Sequence, residues 1–153
     1  QHSFPTRRSS DLPERPRCER LAATSGIADR VVFHGWQSDP ARFYRGASIA
    51  ALPSRPGYES LPNFLVEAQC AGLPVVAFDT DGVSETFRDG ASGILLPAGD
   101  HARFTKALAG LLVDARRRAE MSAAARTWAR ERFDPERQVG AYIELFERLR
   151  ARA

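Results

Sequence analysis

Residues 74–78, Pro-Val-Val-Ala-Phe, contain no polar side chain. A strand of this kind has no face to offer water, so both of its faces must be covered. Parallel sheets wrapped by helices provide that environment. Three more short apolar runs, at residues 31–35, 49–52 and 93–96, are spaced along the chain with helical periodicity between them. Residues 14–23 set Cys18, Leu21 and Ala22 on one side of a helix. Asp39 can cap a short helix with Pro40 at its first position, carrying Phe43 and Tyr44. Leu61, Phe64, Leu65 and Ala68 repeat as one face of a helix that opens at Pro62. Asp100 can cap another. Beyond it come three stripes at helical spacing: Phe104, Leu108, Leu111 and Leu112; Met121, Ala125, Trp128 and Ala129; Val139, Tyr142, Ile143, Phe146 and Leu149. All three are expected in the core. The pattern predicts an α/β fold, a Rossmann-like parallel sheet with helices on both faces.

The chain is 43% hydrophobic, enough for a core, and no apolar run approaches membrane-spanning length. The net charge of +3 includes +1 from Arg7, Arg8 and Asp11, and the remainder is too small and scattered to argue for nucleic acid. Lys106 is the only lysine beside many arginines, which points to a GC-rich bacterial genome. Cys18 and Cys70 lack metal-ligand spacing and read as reduced packing residues. His34 and His101 stand apart from any triad or metal pattern and read as structural or surface residues. Residues 2–12 match one reading frame of a widely used sequencing-adapter oligonucleotide. Residues 1–12 are therefore expected to be a foreign tail, with domain sequence from 13 to 153; they lack the apolar core of a signal peptide.

Residues 52–68 carry the chemistry. They read as strand end, loop and helix start, with Glu59 in the loop and Glu67 inside the helix. The unpaired N–H groups and dipole of such a helix end attract phosphate. Glu67 lies about 8 Å further along the axis, one sugar away. On spacing alone the ordinary reading is favoured, one solvated loop carboxylate and one carboxylate on a helix face.

The wider string changes that balance. Pro53-Ser54-x4-Glu59-x7-Glu67-Ala68, then Ala71-Gly72-Leu73-Pro74-Val75-Val76-Ala77 and Asp81-Gly82-Val83-Ser84-Glu85, closely resembles the retaining glycosyltransferases of family four. Those have the GT-B architecture, two Rossmann-like domains facing across a cleft. The resemblance runs from about Pro13 to the C-terminus and implies the donor-binding C-terminal domain. Pro13-Glu14 is similar to the end of that domain's Gly-Asp-Gly-Pro-Glu turn. The acceptor-binding domain and the first two strands and first helix of the donor domain are thereby expected upstream, and the chain alone is expected to be inactive.

By the same resemblance the donor is a nucleotide-diphosphate sugar, bound with no metal and no other cofactor. Backbone N–H groups at Ser60, Leu61, Asn63 and Phe64 would meet the diphosphate, with Ser-Leu-Pro standing where Gly-Phe-Gly is common. Glu67 would accept from the two ribose hydroxyls. Glu59, the candidate catalytic residue, would hold hydroxyls of the transferred sugar. Arg55 is a candidate partner for phosphate, or else a solvated loop arginine. Gly35 and Trp36 fall where the family meets the base edge, with surface packing the other reading for Trp36. Gly82 belongs to a turn near the donor and Glu85 to the cap of a short helix. The acceptor (a glycan, a lipid or a small molecule) is open. The expected location is cytoplasmic, at most peripheral to the inner membrane face. The competing readings are a non-catalytic nucleotide-binding module and a GT-B epimerase or phosphorylase.

Overall fold

The computed structural model describes residues 14–151, so the tail expected at residues 1–12 lies outside the described residues. The chain divides after Pro40 into two compact units.

In the first unit, helix α1 (Arg15–Thr24) begins with a proline in its first turn and buries only Ala22. Leu21 is 65% exposed, and Cys18 is exposed too, so the predicted face is mostly solvated and Cys18 is not a packing residue. A 3-10 turn at Ala28–Arg30 follows, and Val31 is extended. Residues 31–35 nevertheless form no strand, contrary to expectation. Composition does not make a strand; a hydrogen-bonded neighbour does. The three-stranded sheet is built from other segments.

The second unit holds that sheet. In order come α2 (Ala41–Gly46), β1 (Ala50–Leu52), α3 (Asn63–Cys70), β2 (Val75–Asp79), a 3-10 turn at Val83–Glu85, β3 (Gly93–Pro97), α4 (His101–Val113), α5 (Ala115–Arg132) and α6 (Pro135–Arg150). The strand order is β1-β2-β3, all parallel. Ala50 pairs with Val75 and Leu52 with Ala77, while Val75 pairs with Gly93 and Asp79 with Pro97.

Central β2 explains its own sequence. Val75 and Ala77 point to one face, where they join Leu65 and Ala68 of α3 with Leu73, Val83 and Phe87. Val76 and Phe78 point to the other, against Phe104 and Leu111 of α4 and Met121 of α5. Each fully buried Val, Leu or Phe in these clusters contributes about 1.5–3 kcal/mol. Helices thus cover both faces, as residues 74–78 required.

The helix ends are chemically specified. Asp100, Asp114 and Asp134 cap α4, α5 and α6, each accepting from a backbone N–H in the first turn. Helix α3 closes with the N–H of Leu73 on the carbonyl of Ala68 at 2.8 Å and that of Gly72 on Gln69 at 2.9 Å. Gly72 takes φ 78°, the left-handed conformation this Schellman closure needs.

Two apolar stripes depart from expectation. In α4 the buried line is Phe104 and Leu111, with Leu108 half-buried; Leu112, a further 100° around the helix, is 61% exposed. Helix α6 buries no residue at all. Val139, Tyr142, Ile143, Phe146 and Leu149 are all exposed. Periodicity reveals that a helix has an apolar face, not that a partner for it lies in the same chain.

Candidate functional site

Because the strands are parallel, β1, β2 and β3 all end on one rim of the sheet. Ligands of open α/β sheets bind outside that carboxyl rim. Two connections rise side by side there, the loop 53–62 after β1 and the turn 80–82 after β2. They are joined by a hydrogen bond, Gly57 N–H donating to Asp81 Oδ2 at 2.7 Å. Gly82 sits directly beneath the loop at φ 69°; a methyl on its Cα would overlap the Ser60 carbonyl oxygen. Glycine is needed here twice over, for the left-handed backbone and for the close approach.

The loop positions Glu59, which is half-buried and accepts from Ser54 Oγ at 2.6 Å through Oε1. Pro62, buried and extended at φ −69° and ψ 104°, caps the helix instead of beginning it, so α3 starts one residue later than expected. The N–H groups of Asn63 and Phe64 then lie in the first turn and have no acceptor within the helix. Ser60, Leu61, Asn63 and Phe64 are all exposed at this end. Arg55 is exposed in the same loop.

Glu67 lies one turn into α3, about 6 Å along the axis from Asn63. It is exposed, and its Oε2 accepts from the Tyr44 hydroxyl of α2 at 2.7 Å. Tyr44 also tilts against Phe64, with ring centroids 6.1 Å apart. Burial first, then the bond to Glu67 and its negative charge, push the Tyr44 hydroxyl well above the ordinary tyrosine range. One turn on, the thiol of Cys70 is pushed up by burial and then by the same carboxylate. Cys70 is a free, exposed cysteine, not a packing residue.

The structure therefore brings Glu59, Glu67, Ser60, Leu61, Asn63, Phe64, Arg55 and Gly82 to one end of the second unit. Gly35 (φ 66°) and Trp36 (63% exposed) belong to the first unit. Glu85 lies within the turn Val83–Glu85 and caps nothing; Gly82 holds the capping position. The roles of Tyr44, Ser54 and Asp81 as partners were not foreseen. Ser54 stood in the recognised string, whereas Tyr44 lies 23 positions from Glu67 with no local signal. Among the described residues, no group of three His, Cys, Asp or Glu side chains is placed to hold a metal ion. A hollow of about 490 Å³ lined by Gly90, Asp114, Arg116 and Met121 lies away from both glutamates.

Fold and rim together define a parallel α/β domain whose polar loop groups gather at the strand ends. Residues 9–114 match the family described as glycosyl transferases group 1. The chain belongs to that family. It is 38% identical over 128 residues to a D-inositol 3-phosphate glycosyltransferase of Salinispora tropica, covering 82% of this chain and 26% of that protein. It is 29% identical over 135 residues to the lipopolysaccharide core biosynthesis glycosyltransferase LpsE of Rhizobium meliloti, covering 88% of this chain and 39% of that protein. The chain thus spans about a quarter to two fifths of these relatives. Among solved structures, the sucrose-phosphate synthase of Thermosynechococcus elongatus superposes with a TM-score of 0.81 at 29% identity, over 99% of this chain and 37% of that one. HepE of Anabaena, solved in complex with UDP, gives 0.76 at 25% identity, over 92% and 38%.

Proposed function

We propose that the chain is the donor-binding part of a retaining, GT-B glycosyltransferase of family four, which moves a glycosyl group from a nucleotide-diphosphate sugar to an acceptor. The observation that carries this reading is the pair of carboxylates on either side of the α3 N-terminus, each held by a hydroxyl: Glu59 by Ser54, Glu67 by Tyr44. In this reading the first-turn N–H groups of α3, with Ser60 and Leu61, receive the diphosphate, and the helix dipole favours its charge. Arg55 is free to swing toward the same charge. Glu67 accepts from the ribose hydroxyls. Glu59 keeps Oε2 for hydroxyls of the transferred sugar and orients it for same-face displacement assisted by the leaving diphosphate.

The leaving group is stabilised here by backbone donors and the dipole, so no divalent ion is required. The acceptor would be supplied by a second, N-terminal domain acting in cis, and the reaction would run in the cytoplasm or at the inner membrane face. No helix among the described residues is long and apolar enough to cross a membrane.

The HepE complex makes UDP the first nucleotide to try. Calorimetric titration of UDP into the purified chain, in excess chelator, is expected to show binding that Glu67→Ala weakens by about 1.5–3 kcal/mol, the range for hydrogen bonds to a charged group. Equal affinity of the variant would overturn the ribose assignment. Binding that needs magnesium or manganese would overturn the metal-free reading.

A further inference from the structure

Tyr44 enters the scheme above only as a neighbour that holds one of the two glutamates. Its hydroxyl donates to Glu67 Oε2 at 2.7 Å, joining α2 to α3. The ring is wedged against the core formed by Ala50, Leu65 and Ala68 and tilts on Phe64. Glu67 itself is exposed. Without a partner, an exposed glutamate on a helix samples several rotamers and loses that freedom when a ligand is held.

We propose that Tyr44 is the positioning residue of the nucleotide site: it fixes Glu67 in the one rotamer that faces the ribose diol, so that the site selects a ribonucleotide. The inference rests on the ribose role assigned to Glu67 above. The chemistry is consistent in detail. A carboxylate offers about four lone-pair positions on two oxygens. Tyr44 occupies one on Oε2, leaving Oε1 and the second lone pair of Oε2 for two adjacent hydroxyls. Because the phenol stays protonated throughout the neutral range, it remains a donor and never competes as an anion. Its ring is anchored by packing, so the donor is already in place before the nucleotide arrives, and less order has to be imposed on binding.

The test is a ligand cycle on the full chain with UDP and 2′,3′-dideoxy-UDP as probes. Wild type is expected to prefer UDP by roughly 10-fold or more, as hydrogen bonds to a charged acceptor imply. Tyr44→Phe keeps the packed ring and removes only the donor. It should weaken UDP about 3–10-fold, the range of one ordinary hydrogen bond, and leave the dideoxy analogue unchanged. Added to Glu67→Ala, it should cause no further loss, because it acts through that carboxylate. If Tyr44→Phe weakens both ligands equally, or neither, or still weakens UDP in the Glu67→Ala background, the positioning role is overturned. If Glu67→Ala alone abolishes the preference for UDP, the ribose assignment survives that failure. If wild type binds both probes equally, the assignment and the inference fall together.

Discussion

At the scale of single residues, the site rests on atoms whose partners are far away in sequence. Gly82 shows this most sharply. Its φ of 69° is unfavourable for any side chain, and its Cα faces the Ser60 carbonyl across the rim. Gly82→Ala should therefore destabilise the chain by about 1–3 kcal/mol from backbone strain alone, and more from the overlap. Urea denaturation should show a lowered midpoint, and UDP affinity should fall because the loop carrying Ser60 and Leu61 is lifted. An unchanged midpoint would mean the turn relaxes freely. The glycine itself was legible in the Asp81-Gly82 turn, but the Ser60 contact was not. Gln69 was likewise illegible. It sits on the apolar face of α3, fully buried, with its Nε2 donating to the carbonyls of Leu73 at 3.0 Å and Ser92 at 3.2 Å. Periodicity counts apolar positions and passes over a polar one that satisfies loop carbonyls.

Among the elements, local chemistry translated well wherever the signal was local. Asp100 was expected to cap a helix, and it accepts from Arg103 N–H at 3.0 Å. Asp100→Ala should cost about 1 kcal/mol. A lowered thermal midpoint would register the loss, whereas no shift would show that α4 is held by Phe104 and Leu111 packing alone. The helix from α3 was placed to within a residue at its start. Strands β1, β2 and β3 were legible because each is short, apolar and followed by a turn. Residues 31–35 have the same appearance and form no strand, since pairing is a property of two segments and the sequence displays only one. Arg118 marks another limit. With no local signal in the sequence, it donates to the carbonyls of Leu111 at 2.5 Å and Leu112 at 2.7 Å, closing the end of α4 from the next helix.

For the whole molecule, α6 is the largest departure from what the stripes implied. Its five apolar positions form a continuous face without cover from the described chain. A patch of this kind binds hydrophobic probes and promotes association. The chain should enhance the fluorescence of a hydrophobic dye and scatter more light as concentration rises. Phe146→Glu should reduce both while leaving the unfolding midpoint unchanged within about 0.5 kcal/mol, the usual limit for a surface substitution. A dye response that ignores the substitution would place the exposed apolar surface elsewhere. The rim carries a different consequence. Gly57 is tied to Asp81, and Ser60 rests on Gly82, so the connections after β1 and β2 are fastened to each other at two points. Their lengths are then not independent. A residue inserted between 57 and 60, or between 81 and 82, throws one fastening out of step with the other, and one inserted between 54 and 57 parts Ser54 from the Glu59 carboxylate it holds. From Ser54 to Gly82 the rim therefore has a fixed count of residues, and a change of length at any of these places is felt at the others.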